Sequence, residues 1–376
     1  MNLALRDIRH RLGRFVLTCV GLALLLGVVL SMLGIYRGIV GDALQLVRLV
    51  EADLWVVEGG TLGPFAESSR IPKDARETVA RLDGVAAAGV LTFQTAEADH
   101  GGRKARLYVV GYEPGRLGGP AALAAGRPIA RAHYEMVVDR RARIPLGARV
   151  RLGSEDFTVV GLTEGRVDSG GNPLAFLTLK DAQKLQFELD GAAARNQALR
   201  GQAANANQVN AVVARLLPGA SADAVAETVR RWKHLGALTQ ERQEALLVTS
   251  VVERARKQIG LFTAILLVVS AVVIALIVYT MTMDKMREIA TLKLIGAPDR
   301  AIVGLIVQQA LALGGIGFVL GAVLIYMAAD HFPRRVILLP ADAAALGAVV
   351  VVVCVLASLM GVRYALKVDP AQALGG

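Results

Sequence analysis

"MDKMREIATLKLIGAPDRAIV", residues 283–303, decides the fold. It holds seven charged residues, and on each side lies a run of more than twenty residues without Asp, Glu, Lys or Arg, at 258–283 and 301–329. A helix rises about 1.5 Å per residue, so about 20 apolar residues cross a hydrocarbon core of about 30 Å. Two further runs, 15–36 and 343–362, are also free of charge, and nothing as long lies between Arg37 and Lys257. The expected layout is one spanning helix, a domain of about 220 residues, then three spanning helices.

The bulk composition agrees with a mixture. Hydrophobic residues make up 54% and charged residues 20%, with a mean hydropathy of +0.48. That is only moderately shifted from the average soluble domain, so very apolar segments must coexist with a sizeable soluble part. The net charge of +10 could serve nucleic acid, anionic lipid or topology. The arginines are spread along the chain as on a solvated surface, and no nucleic-acid partner is expected. Cys19 and Cys354 both fall in apolar runs, which disfavours a disulfide, and the histidines lack ligand spacing. No metal or cofactor is expected. The basic start of the first run resembles a signal peptide. Its apolar part is too long for a signal core and no small-x-small cleavage site follows, so a retained helix is expected.

Orientation follows from Arg and Lys near the span ends. Arg6, Arg9, Arg11 and Arg14 precede the first run, Lys285, Arg287, Lys293 and Arg300 separate the second and third, and Arg363 and Lys367 follow the fourth. Four spans put these three places on one side, so both termini are expected in the cytoplasm of a bacterial inner membrane. Arg334 and Arg335 go against the rule.

In the large segment, alternation predicts strands at 52–59, 86–98, 104–112 and 207–216, and a hairpin over 146–162 turning at 153–156. Residues 72–85 and 221–232 read as helices, the second capped by Ser221. Residues 177–187 start extended and become helical, and 191–208 reads as a loop or insertion. Strands mixed with helices predict an α+β domain. Residues 37–50 and 241–257 read as helical stalks; Leu246, Ser250, Glu253 and Lys257 share one face at regular helical spacing.

Several chemistries are missing from the sequence. There is no G-x-x-x-x-G-K-[ST] loop and no Gly-Lys pair, no G-x-S-x-G and no H-E-x-x-H. The runs hold almost no ionisable group for a proton relay. A non-catalytic membrane subunit is expected, with energy supplied by another chain. Small residues are plentiful: Gly27 with Ser31, Gly34 with Gly38, and Gly317 with Gly321. They let helix backbones approach closely, either between two protomers or within one.

The loop between the second and third spans is too regular for a plain connector. It lacks Gly and Pro until Gly296, with Pro298 beyond. Arg287, Thr291 and Ile295 share one stripe, with Glu288 and Leu292 beside it. A short amphipathic helix lying on lipid and a docking element for a soluble partner both fit this pattern.

The segment "MREIATLKLIGAPDRAIVGLIVQQALALGGIGFVLG" resembles the C-terminal part of FtsX/MacB-type (type VII) ABC transporter permeases. The family pattern R-E-I-x-x-L-K-x-I-G-A is met at Arg287, Glu288, Ile289, Leu292, Lys293, Ile295, Gly296 and Ala297, and the ending "DPAQAL" resembles the family tail. "VEADLWVVEGG" and "LYVVGYEP" are most similar to the permeases that export heterocyst glycolipids. MacB itself carries a fused ATPase, which this sequence lacks.

The resemblance implies an α-helical membrane protein with four transmembrane helices (1+3) and a large α+β periplasmic domain on helical stalks. It implies segments as follows: a cytoplasmic amphipathic helix at 1–14, the first span at 15–36, a stalk at 37–50, a MacB-like periplasmic domain at 51–240 and a second stalk at 241–257. Then come the second span at 258–283, a coupling helix and loop at 284–300, the third span at 301–329, a short periplasmic loop at 330–342, the fourth span at 343–362 and a cytoplasmic tail at 363–376. The coupling helix, with Met286 and Thr291 added to the matched residues, would dock on a separate ABC ATPase that binds ATP. Further implied partners are a second copy of the chain, a periplasmic membrane fusion protein as adaptor, an outer-membrane TolC-like channel, and membrane lipids. Two functions are compatible: export of a lipid, glycolipid or other amphiphile by mechanotransmission, or FtsX-like signalling to a periplasmic partner without transport.

Overall fold

The computed structural model describes residues 12–65, 67–189, 207–232, 234–295, 298–332 and 335–367. The readings placed on 1–11, 191–206, Gly296, Ala297 and 368–376 lie outside the described residues. The chain divides into two units, Met1–Gly38 with Ala255–Gly376, and Ile39–Arg254. Helix α1, Leu12–Arg48, is a single element of 37 residues.

The α+β unit continues with β1 (Leu54–Glu58), β2 (Ile71–Pro72), α2 (Ala75–Ala80), β3 (Val85–His100), β4 (Arg103–Tyr112), β5 (Ala125–Gly126) and β6 (Glu135–Asp139). Then follow β7 (Arg149–Leu152), β8 (Glu155–Thr163), β9 (Leu174–Thr178), α3 (Leu179–Leu189), β10 (Gln208–Val209), β11 (Ala211–Leu216), α4 (Ala222–Arg230), β12 (Leu235–Thr239) and α5 (Gln240–Leu247). The main sheet runs β12-β1-β11-β3-β4-β9-β6-β8-β5, with β7 bridging β3 and β8, while β10 pairs with β2. Pairs β4–β9 and β6–β8 are parallel.

Strand β3 is long enough, at 16 residues, to belong to two cores. Its start pairs with β11 and its end with β4 and β7. Over the first half, Val79 of α2 and Val229 of α4 pack on Leu54, Val56, Val90 and Val212. Over the second, Leu185 of α3 packs with Leu107, Val109, Met136 and Val138. Local signals place these elements. Ser221 Oγ accepts a hydrogen bond from the Ala224 N–H at the start of α4, and Gly153 supplies the left-handed residue of the β7–β8 turn at φ 65°. The loop before β6 is pinned by the buried Glu135 carboxylate. It accepts from Arg127 Nη2 at 2.5 Å and from the Ala130 and Arg131 N–H groups at 2.9 and 3.0 Å. The Arg127 guanidinium is the main reason its pKa falls to about 2.

Downstream of α5 the structure departs from the regular stripe expected over 246–257. Val248–Val252 form a π-helical turn, followed by α6, Glu253–Asp284. Thr249 Oγ1 donates to the Ala245 carbonyl at 2.5 Å and Ser250 Oγ to that of Leu246 at 2.6 Å. Such back-bonding loosens and bends a helix, and the one-residue excess of a π turn sets all that follows about 100° off the regular helical phase. Glu253 and Lys257 therefore leave the face of Leu246 and Ser250.

The other unit adds α7 (Met286–Leu294), α8 (Asp299–Ala328) and α9 (Pro340–Lys367), the last opened by a proline at its first position. Helices α1, α6, α8 and α9 are each long and apolar enough to cross a membrane, with mean hydropathies of 2.6, 3.1, 2.2 and 2.4 in their best windows. Helix α1 is the most enclosed: Leu22, Leu26, Val29 and Leu30 are all buried. Around Gly27, α1 and α8 approach closely within the same chain. A Cβ on Gly27 would sit 3.2 Å from Ile325, on Gly321 2.5 Å from the Ala23 carbonyl, and on Gly317 2.9 Å from Leu22. Ser31, also buried, returns its hydroxyl to the Val28 carbonyl at 2.8 Å.

Candidate functional site: the helix between the second and third spans

Helix α6 stops where Lys285 leaves helical geometry, at φ −101° and ψ 8°. The Lys285 N–H still bonds the Thr282 carbonyl at 3.1 Å, and the Lys285 carbonyl accepts from the Ile289 N–H at 2.9 Å, so α7 starts one residue later. Glu288 in its first turn and Lys293 in its last both complement the helix dipole. Burial pushes the Lys285 ammonium pKa down, and nearby Glu288 opposes this. At the far end the Ile295 N–H bonds the Thr291 carbonyl at 3.1 Å, and Pro298, extended at ψ 145°, caps the start of α8.

One face of α7 is fixed to the spans. Ile289 and Ala290 are buried, and Ile289 belongs to one core with Cys19 and Leu22 of α1, Val278 of α6 and Ile302 and Ile306 of α8. Met286, Leu292 and Lys293 are half-buried, while Arg287 lies in the first turn. The opposite face carries exposed Glu288 and Thr291. It ends in two large apolar side chains, Leu294 at 60% and Ile295 at 79% exposure. The structure thus brings together Glu288, Thr291 and Ile295 on the exposed side. It places Ile289 on the anchoring side, and Leu292 at the boundary.

Sequence reasoning passed over Leu294. Its signal was present: two adjacent apolar residues at the end of a short charged helix, with the buried positions already filled by Ile289 and Ala290. Sequence reasoning also passed over a link between the two stalk regions. Arg48 Nε and Nη2 at the end of α1 donate to both carboxylate oxygens of Glu244 on α5, at 2.9 and 2.8 Å.

The arrangement presents an apolar tip on a helix whose other face is packed into a core shared with α1, α6 and α8. Comparison with known proteins gives this geometry a family. The profile of the MacB-like periplasmic core domain matches residues 15–232, more than half of the chain. That of the FtsX-like permease C-terminal region matches residues 260–370. The chain is 28% identical over 374 residues to an uncharacterized ABC transporter permease of Mycobacterium tuberculosis, covering 99% of both. It is 27% identical over 373 residues to another from Mycobacterium bovis, again with 99% coverage of both. Among solved structures, the periplasmic region of MacB from Actinobacillus actinomycetemcomitans aligns with 50% of this chain and 88% of its own, at 11% identity and a TM-score of 0.35. With four membrane-length helices, a periplasmic α+β domain matched by the MacB-like profile and an FtsX-like C-terminal region, the chain belongs to the FtsX/MacB-type ABC transporter permeases.

Proposed function

We propose that this permease couples ATP hydrolysis by a separate ATPase to a conformational change in its periplasmic domain, and that the change exports a lipid, glycolipid or other amphiphile through a periplasmic adaptor. The family implies the ATPase partner and a bacterial inner-membrane location. The substrate class rests on the likeness of 50–60 and 107–114 to glycolipid-exporting permeases. One observation carries the coupling: Ile289 of α7 is buried in one core with residues of α1, α6, α8 and α9, and Ala290 is buried beside it, while Leu294 and Ile295 are exposed. An apolar anchor pair on a rigid base is what a cleft on a soluble partner can grip. A helix merely resting on lipid would not need to be tied to the span core.

The proposal puts α7 and both termini in the cytoplasm. Leu294→Glu with Ile295→Glu should cut co-purification of the ATPase at least about tenfold, the cost of losing about 1.4 kcal/mol of docking, without unfolding the spans. A cysteine at exposed Thr291 should react with an impermeant maleimide only after the membrane is opened, and be shielded when the ATPase is bound. Normal ATPase retention by the double variant sinks the docking reading. Labelling of Thr291 from outside sinks the orientation.

A further inference from the structure

The stripe Gly27, Ser31, Gly34, Gly38 runs up one face of α1, and only its first part meets α8. Its last part meets the segment that leads into α9. The Ile337 N–H donates to the Gly34 carbonyl at 3.0 Å. That carbonyl sits inside a helix, where its usual donor is the amide four residues on, at Gly38. A carbonyl has a second lone pair, and here the absence of a Cβ at both 34 and 38 leaves it open. A Cβ on Gly34 would lie 2.5 Å from Val336 and 3.2 Å from Leu338, and one on Gly38 would run into the Arg335 carbonyl oxygen. Leu338 packs onward against the Val29, Leu30 and Leu346 cluster.

A bidentate ion pair closes the same junction. Arg37 Nε and Nη2 donate to Asp342 Oδ2 and Oδ1, both at 2.8 Å. Arg37 is the first charged residue after the run 15–36, and Asp342 the last before the run 343–362. Both therefore stand at the ends of charge-free runs, and their fork-to-fork geometry gives two charge-assisted hydrogen bonds rather than one. Asp342 also lies in the first turn of α9, where the helix dipole favours a carboxylate.

We infer that residues 335–342 form a clasp that fastens the outer end of α1 to α8 and α9, with Gly34, Gly38, Arg37 and Asp342 as its positioning residues. The clasp makes α1 a fixed strut, against which α6 moves during coupling. That second clause rests on the coupling reading above.

The test uses the full chain in nanodiscs, assembled with its ATPase. Two quantities are read: hydrogen–deuterium exchange over 335–342, and the ATP-dependent distance change between spin labels at Glu241 and Gln258. In the wild type the Ile337 amide should be protected. Gly38→Leu should speed exchange of the segment at least about tenfold and abolish the distance change while ATP is still hydrolysed. Arg37→Asp and Asp342→Arg should each do the same more weakly, and the double swap should restore both readouts. The charge variants keep the test decisive if Gly38→Leu fails to fold. Wild-type exchange in the single charge variants, or no rescue by the swap, overturns the clasp. Faster exchange with a full distance response overturns its role as a strut. A wild type without any distance response instead removes the coupling reading and leaves the clasp to be judged by exchange alone.

Discussion

Two helical paths join the membrane-length helices to the periplasmic domain, and they are built differently. The outgoing path is α1, one helix of 37 residues. Its most apolar window is 44% buried inside the chain. The returning path is α5, a π turn and α6, and the corresponding window of α6 is 22% buried. Leu261, Val268, Val272 and Leu276 of α6 all face outward. A helix whose glycines are seated on neighbouring backbone cannot slide without breaking close packing. A helix with few packed neighbours and a local π turn has cheaper freedom, of the kind found at hinges. On the coupling proposed above, a push at α7 would meet one stiff route and one compliant route.

The largest effect should come from making the two routes alike. Deleting Ser250 removes the surplus residue of the π turn, so α5 and α6 should fuse into one regular, stiffer helix whose two halves keep their relative orientation. ATP hydrolysis should persist while the response of the periplasmic domain is lost. Hydrolysis measured beside spin-label distances checks this, and a wild-type response would leave the π turn without a role.

The smallest effect concerns the clip between the two routes. Arg48 is 59% exposed, so removing its pair with Glu244 by Arg48→Ala should cost only about 0.5 kcal/mol of domain stability. The pair also has a pH signature. The Arg48 hydrogen bond holds the Glu244 carboxyl below its ordinary 4.5. A depressed folded value stabilises above the unfolded value and is lost as pH falls through the folded one. The wild type should therefore lose its advantage over Arg48→Ala below about pH 4.5. Denaturant melts at pH 7 and pH 3 test this; a gap that widens in acid would contradict it.

The spans were legible because hydrocarbon tolerates no loose charge, which leaves long uncharged runs in plain view. The helix at 286–294 was legible from its spacing of charges. Strands β3, β4, β8 and β11 alternate or are bounded by turns, and could be read. Strand β6 was not, because all five of its residues are buried and a run without alternation has no period. Strand β12, "LGALT", offers only one buried side chain and is held by pairing with β1. The π turn hides in "VTSVV", whose residues suit an ordinary helix as well. The seat of Gly34 and Gly38 was invisible for another reason. Small residues announce a close approach, but their partner lies about 300 residues away in a segment with no period of its own.

The most direct test of the strut-and-hinge account measures both routes in one chain. Spin labels at Glu241 and Gln258 bracket the π turn, about 25 Å apart if helical; labels at Leu24 and Leu44 bracket a stretch of α1 about 30 Å long. Labelled chains are diluted with unlabelled ones and assembled with the ATPase. Trapping ATP should shift the 241–258 distance and leave the 24–44 distance unchanged. A shift confined to α1, or no shift in either pair, would contradict the account.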